Sequence, residues 1–163
     1  MKVVGIDPGT AACGYGIVHE SGGRLRAIGH GWWSTPSGDP VEARLKTIYD
    51  AVAALVAEQQ PDAVVLEESY VGADARIALS VGQARGAVLV AGANAGIPCA
   101  EYTPSTVKQC VCGYGRADKL QVQKMVKAIL GLAELPQPNH AADALAVAIC
   151  HALSSPLLRK AAS

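Results

Sequence analysis

The pattern of apolar and polar positions along this chain predicts an α/β fold built on a mixed sheet of five strands. Short apolar or alternating runs are typical of strands, whereas apolar residues that recur every three or four positions are typical of helices. The predicted strands are 2–6, 14–19, 24–33, 63–66 and 98–102, and the predicted helices are about 45–58, 73–95, 105–111, 119–130 and 139–153. The first three strands follow one another through tight turns, which indicates an antiparallel meander. Helices then alternate with strands, which favours parallel pairing and helices that flank the sheet.

Length and composition predict one compact domain over residues 1–153 and a short, partly basic and mobile tail over residues 154–163. The longest charge-free stretch in the middle of the chain, residues 86–100, is shorter than the ~20 residues of a membrane span. The chain enters its first strand without the apolar region of a signal peptide. We therefore expect a cytoplasmic protein with no membrane association.

The five cysteines are odd in number and irregularly spaced, which argues against a disulfide framework. Cys13, Cys99 and Cys150 have apolar sequence neighbours, so we expect reduced, buried thiols. Cys110 and Cys112 are one residue apart and no second pair follows them. A structural zinc site is therefore not expected.

An acidic residue stands at the end of two predicted strands. Asp7 follows the first apolar run and precedes a Pro-Gly break, and Glu67 ends the strand that follows the first helix. Two parallel neighbours would both present carboxylates at their C-terminal ends, where ligand sites of open α/β sheets lie. A carboxylate at the edge of a core needs a metal ion or a basic group as partner, although Asp7 is also compatible with a simple turn cap. Glu68 alternates away from Glu67, so only one of them faces such a cleft.

The last predicted helix adds two further candidate ligands. His140 and Asp143 are three residues apart, which places both side chains on one helix face. With the two strand carboxylates they could hold two divalent ions, Mg²⁺ or Mn²⁺, and the imidazole favours Mn²⁺. Two such ions can activate a water and stabilise the leaving oxygen of a phosphoryl displacement. Taken singly, His140 is also typical of a surface histidine, and Asp143 of a carboxylate near a helix N-terminus.

Positive charge is concentrated in one segment, although the 14 basic and 14 acidic residues of the whole chain cancel. The balance argues against a protein that coats nucleic acid indiscriminately. Residues 104–133 contain one acidic residue, Asp118, and the basic residues Lys108, Arg116, Lys119, Lys124 and Lys127. Such a cluster is compatible with a solvated helix face, but beside a carboxylate cleft it could hold a polyanionic substrate.

The predicted helix 73–95 is apolar on nearly all sides and rich in alanine and glycine. A helix of this kind must be covered on more than one face. Small residues allow close backbone approach, which favours a two-fold homodimer through this helix. Burial inside a single subunit is the alternative.

Several motifs together resemble the RuvC family of Holliday-junction resolvases, the crossover junction endodeoxyribonucleases. They occur in order between residues 2 and 151: GIDPGT at 5–10, GYGIV at 14–18, LEE at 66–68, GQARG at 82–86, VKQ at 107–109 and HAADALAVAI at 140–149. The resemblance implies a ribonuclease-H-like fold and a homodimer. It also implies metal-dependent, paired symmetric nicking of four-way DNA junctions in recombination and repair, together with a branch-migration complex.

The resemblance also assigns residues. The acidic quartet of the family falls on Asp7, Glu67, His140 and Asp143, and His140 stands where an aspartate is commoner, although some resolvases carry histidine there. The resemblance places Lys108 and Lys119 near the scissile phosphate, and it places Tyr70 where a family aromatic stacks on an unpaired base. By default, Tyr70 is a loop aromatic that covers the core. Arg76 and Arg116 complete the predicted DNA contacts.

Two other functions compete with this interpretation. GIDPGT also resembles the first phosphate loop of actin-like sugar kinases and ATPases, but one domain of this length has no second phosphate loop. Alternatively, the chain is a junction-binding module that has lost catalysis through His140. Cleavage of four-way junctions in magnesium or manganese separates these possibilities.

Overall fold

Strands and helices lie where the hydrophobic pattern predicts them. The computed structural model describes residues 1–68 and 74–161. Its elements, in chain order, are β1 (Lys2–Asp7), β2 (Ala12–Ser21), β3 (Arg24–Ser34), α1 (Val41–Gln59), β4 (Ala63–Glu67), α2 (Ala75–Asn94), β5 (Cys99–Tyr102), α3 (Pro104–Cys112), α4 (Lys119–Leu130) and α5 (Asn139–Ala161). Helix α5 continues beyond residue 153, so the first part of the expected tail is helical. The mobility of that tail and the domain boundary stay predictions.

The five strands form one mixed sheet in the order β3-β2-β1-β4-β5. Strands β1, β2 and β3 pair antiparallel, whereas β4 pairs parallel with β1 on one side and with β5 on the other. The predicted meander followed by parallel strands is therefore confirmed. Because β1 and β4 are parallel neighbours, their C-terminal ends meet at the same edge of the sheet.

Helices cover both faces of the sheet and form two hydrophobic cores. Helices α1 and α2 pack on one face with residues such as Val4 and Val64, and α3, α4 and α5 pack on the other with Val3 and Val65. Side chains alternate between the faces with a period of two. Asp7 and Glu67 follow this alternation onto the face that carries α5.

Two glycines let α5 approach the sheet closely. A Cβ atom at Gly5 would lie 2.0 Å from the carbonyl oxygen of Ala144, and one at Gly14 would lie 2.1 Å from the carbonyl oxygen of His140. Any other residue would push the helix away from β1 and β2. The backbone of α5 therefore rests directly on these strands, which places the first turn of the helix above the end of β1.

Helix caps define where α3 and α4 begin. The Thr103 side chain accepts a hydrogen bond from the Thr106 backbone N–H, and Pro104 occupies the first turn of α3. Helix α4 begins with a capping box, in which Asp118 and Gln121 each accept from the backbone N–H of the other. This cap makes Lys119 the first residue of α4.

The thiols agree with the sequence expectation except at one position. All five cysteines are free, and Cys13 and Cys150 are buried, as expected. The expected burial of Cys99 is wrong, because this residue is exposed at the start of the edge strand β5. Its apolar sequence neighbours did not reveal that β5 would lie at the edge of the sheet.

None of the helices in the described part of the chain is long and apolar enough to cross a membrane.

Candidate active site

Asp7 and His140 meet where β1 ends beneath the first turn of α5. Asp7 Oδ2 lies 2.7 Å from His140 Nδ1. A carboxylate only accepts hydrogen bonds, so Nδ1 donates in this contact, and a neutral ring in this tautomer has a lone pair on Nε2. This orientation is common for histidines that bind a metal ion through the second nitrogen. The His140 side chain is about half exposed, and Asp7 is mostly buried.

Glu67 and Asp143 lie beside this pair in a cleft between the sheet and three helices. The cleft has a volume of about 170 Å³, and its lining includes Glu67, Asp143, Lys108 of α3 and Lys119 of α4. The Lys119 ammonium lies 3.7 Å from Asp143 Oδ2. The sequence predicted each of these charged residues, and the fold brings them together. We call Asp7, Glu67, His140 and Asp143 the acidic site.

The carboxyl groups of the acidic site hold more negative charge than their surroundings neutralise. The pKa of Glu67 is raised to about 7, chiefly by burial and further by the charges of Asp143 and Asp7, while Lys108 and Lys119 partly oppose the rise. Burial and the charge of Asp7 likewise raise the pKa of Asp143, against Lys119 and His140. Buried carboxylates that repel one another gain from a bound cation. The electrostatics therefore favour a cation-binding role.

The donor set of the acidic site fits a divalent ion by its chemistry. Three carboxylates supply the oxygen ligands that Mg²⁺ and Mn²⁺ prefer, and the imidazole adds one nitrogen. Among residues 1–68 and 74–161, no three His, Cys, Asp or Glu side chains lie close enough together to hold a metal ion as they stand.

The other predicted DNA-contact residues differ in how close they lie to the acidic site. Arg76, near the start of α2, lines a second cleft of about 360 Å³ together with His140 and the loop 9–12. Arg116 is exposed on the connection between α3 and α4 and lines neither of these clefts. Tyr70 lies outside the described residues, so its predicted role is untested. Glu68 is exposed, and its charge acts on Arg85 of α2, a helix on the opposite face of the sheet, as the alternation of side chains predicts.

Sequence reasoning missed two contacts, one within the acidic site and one on the opposite face of the sheet. It did not pair Asp7 with His140, and it did not assign the bidentate ion pair that joins Arg85 to Glu101 of β5. A signal for the first contact was present, because glycines recur where β1 and β2 face α5. Arg85 lies in the GQARG motif, but no local pattern indicated its partner.

Glu67→Gln should flatten the pH dependence of folding stability in buffer that contains a chelator. The pKa of about 7 lies above the ordinary value of 4.5, so the folded protein holds an extra proton between these values. The stability from that proton is complete below the unfolded pKa and is lost as pH rises through the folded one. At about 1.4 kcal/mol per pKa unit, glutamine should raise the free energy of unfolding near pH 8 by up to about 3 kcal/mol.

Urea unfolding of both proteins between about pH 5 and pH 8 measures this difference. Glu68→Gln is the matched control, because its exposed carboxyl faces away from the site and should leave the pH slope unchanged. Equal slopes for the wild-type protein and Glu67→Gln would contradict the burial of repelling carboxyl groups.

Comparison with known proteins relates this geometry to one family. The family model described as crossover junction endodeoxyribonuclease RuvC matches residues 3–151. A crossover junction endodeoxyribonuclease RuvC from Desulfitobacterium hafniense is 51% identical over 160 residues, which cover 98% of this chain and 97% of that protein. The structure of Thermus thermophilus RuvC matches with a TM-score of 0.88 at 39% identity. T. thermophilus RuvC in complex with Holliday junction substrate matches with a TM-score of 0.89 at 37% identity, and each match covers 96% of both chains.

Proposed function

Because the chain belongs to the RuvC family of crossover junction endodeoxyribonucleases and is a Holliday-junction resolvase, we propose that it nicks the junction by metal-dependent hydrolysis at the acidic site. Its sheet and flanking helices have the ribonuclease-H-like architecture of this family. The observation that carries the proposal is the cluster of repelling carboxyl groups at the sheet edge, bordered by Lys108 and Lys119. Metal ions would complement the negative carboxyl groups of this cleft, and a DNA phosphate would complement its two lysines.

The RuvC family consists of divalent-metal-dependent nucleases, and we extend this dependence to the acidic site. We propose two ions per subunit, Mg²⁺ or Mn²⁺, with Mn²⁺ preferred because of His140. Such ions, when bound, supply an activated water and stabilise charge on the leaving oxygen. Asp7 would be the shared ligand, because it is hydrogen-bonded to His140 and its charge acts on both Glu67 and Asp143.

The remaining residues hold the substrate and compensate charge. His140 is oriented by its hydrogen bond to Asp7, so its Nε2 is available to bind an ion or to orient the attacking water. Lys108 and Lys119 border the carboxylate cleft and would offset the charge of the scissile phosphate. Arg76 lies on the other side of His140, where it would contact a neighbouring phosphate.

Two further DNA contacts are proposed, Arg116 because it belongs to the basic segment 104–133 and Tyr70 because of the family resemblance. Arg116 would bind the DNA backbone from the exposed connection between α3 and α4. Tyr70 would stack on an unpaired base at the centre of the junction. The same resemblance supports a role in the cytoplasm beside a branch-migration complex.

Cleavage of a synthetic four-way junction, compared with linear duplex of the same sequence, tests the proposed function. We expect paired nicks in opposing strands of the junction, no cutting of the duplex, and faster cutting in Mn²⁺ than in Mg²⁺. Tight junction binding without cleavage in either metal would identify a binding module that has lost catalysis. Equal cutting of junction and duplex would contradict a resolvase. Micromolar ATP binding would restore the actin-like kinase alternative, which membership of the RuvC family disfavours.

The homodimer is supported by the exposed face of α2. One side of this helix buries Ala84, Val88 and Ala91 in the core shared with α1 and the sheet. The other side leaves Leu79 65% and Val90 52% exposed. A solvent-exposed apolar face of this kind is typical of a subunit interface. We propose that two copies of α2 pack against each other, which gives the two cutting sites a two-fold relation.

Leu79→Glu should convert the dimer to a monomer at micromolar concentration. A glutamate at the centre of an apolar interface would lose its hydration without a partner, which should weaken dimerisation more than about 100-fold. Sedimentation velocity measures the change, and Val41→Glu, on an exposed apolar residue of α1, is the matched control. A Leu79→Glu protein that remains dimeric would remove α2 from the interface.

A further inference from the structure

The register of the sheet aligns an exposed tryptophan with the acidic site. Asp7 of β1 pairs with Gly14 of β2, and Gly14 pairs with Trp32 of β3. Directly paired residues of neighbouring strands project to the same face of a sheet. Gly14 faces His140 of α5, so Trp32 projects to the same face as Asp7 and the first turn of α5.

The two tryptophans of the chain have different environments. Trp33 projects to the opposite face, packs against the core under α1 and α2, and stacks on Tyr15 with ring centroids 4.6 Å apart. Trp32 is 53% exposed. Packing therefore accounts for Trp33, whereas Trp32 leaves much of a large aromatic surface open to solvent on the face that carries the acidic site.

Trp32 lies close enough to the acidic site to reach the same DNA strand. Two strand spacings separate the Cα atoms of Asp7 and Trp32 by about 10 Å. One DNA strand advances about 3.4 Å per nucleotide, so this separation spans about three nucleotides. A DNA strand bound with its scissile phosphate at the acidic site would place a nearby base within reach of the indole ring.

We infer that Trp32 is a substrate-contact residue that stacks on a base close to the branch point, within about three nucleotides of the scissile phosphate. This inference rests on the proposed function. Base pairs in a continuous duplex cover their faces by stacking on one another, whereas a branch point interrupts the stack and opens a base face. Trp32 therefore adds to the preference for a four-way junction over linear duplex.

Fluorescence measures this contact without removing the side chain. In Trp33→Phe, Trp32 is the sole tryptophan, and the phenylalanine keeps an aromatic ring to replace Trp33 in the stack on Tyr15. In buffer with EDTA, a four-way junction should quench the emission of Trp32, and a linear duplex of equal length should quench it much less. In the matched protein Trp32→Phe, the remaining Trp33 should give little response to either DNA.

Equilibrium binding of the same junction gives a second readout. Trp32→Ala should raise the junction dissociation constant roughly 5–100-fold and the duplex constant far less, because stacking on one base is lost. Trp32→Phe keeps an aromatic face and should stay close to the wild-type protein. Ile28→Ala is the matched control, because Ile28 is on the same strand with the same 53% exposure but four residues further from the end of β3 that meets the acidic site.

Three outcomes separate this inference from the proposed function. Quenching of Trp32 by the junction together with selective loss of junction binding in Trp32→Ala supports the stacking contact. A second outcome is that the wild-type protein prefers the junction to the duplex, but Trp32 fluorescence does not respond and Trp32→Ala binds the junction normally. This outcome overturns the stacking contact and leaves the resolvase function intact. A wild-type protein that does not distinguish junction from duplex overturns the proposed function itself.

Discussion

Asp7→Asn should reduce nicking of a four-way junction by more than about 10³-fold and change junction binding little. Asparagine has the size and shape of aspartate but no negative charge, so it is a poor ligand for a divalent ion. Its side-chain oxygen can still accept the hydrogen bond from His140 Nδ1, which preserves the orientation of the ring. The loss should therefore fall on the chemical step, and single-turnover cleavage with excess enzyme measures it.

The same substitution should preserve or raise stability when a chelator is present. The charge of Asp7 raises the pKa of both Glu67 and Asp143, so its removal relieves repulsion within the acidic site. Asp50→Asn makes the same chemical change at an exposed position of α1 and should leave the cleavage rate unchanged. Nicking by Asp7→Asn at the wild-type rate would rule out Asp7 as a metal ligand.

Gly14→Ala should lower the free energy of unfolding by about 3 kcal/mol. It should also slow junction cleavage by the molecules that remain folded. The added Cβ would lie 2.1 Å from the carbonyl oxygen of His140 and 2.4 Å from its carbonyl carbon. Both atoms belong to the helix backbone, so no side-chain rotation relieves the overlap. The start of α5 must move, and a displacement of about 1 Å at His140 can cost about 10²-fold in rate.

Gly29→Ala is the matched control for this prediction. Gly29 lies on the neighbouring strand β3, and a Cβ there meets its nearest atom, Cδ1 of Ile17, at an ordinary 3.7 Å. Its effect on the free energy of unfolding should stay within about 1 kcal/mol. Urea unfolding and single-turnover cleavage of the two variants compare stability and rate. Equal stability of Gly14→Ala and Gly29→Ala would show that α5 does not rest on β2 as closely as described.

The sequence predicted the role of Asp7 but not the role of Gly14. The position of Asp7 was predictable, because an apolar strand that ends in an acid needs only local periodicity to be recognised. The parallel pairing of β1 with β4 then placed Glu67 at the same edge, as expected. The functional importance of Gly14 was not predicted. Its small size matters only because a helix that begins 125 residues later in the chain lies on top of it.

Cys99 shows that apolar sequence neighbours are not enough to predict whether a residue is buried. Its neighbours in sequence are apolar, and this favoured a buried thiol, yet the residue begins the edge strand of the sheet. Burial depends on which elements cover a strand, and the order of strands in a sheet is a property of the assembled fold. The same limitation applies to Trp32, whose sequence neighbour Trp33 is packed on the opposite face.

The sequence by itself determined the elements, the mixed sheet and the family, together with the acids at the strand ends and on α5. These properties follow from periodicity and from motifs, which are local in the chain. The tertiary structure alone decided that His140 bonds to Asp7, that Lys119 meets Asp143, and that Glu67 is buried enough to raise its pKa to about 7. The physical reason is that burial, charge interaction and close helix packing depend on distances between residues far apart in sequence, which exist only after the helices pack on the sheet.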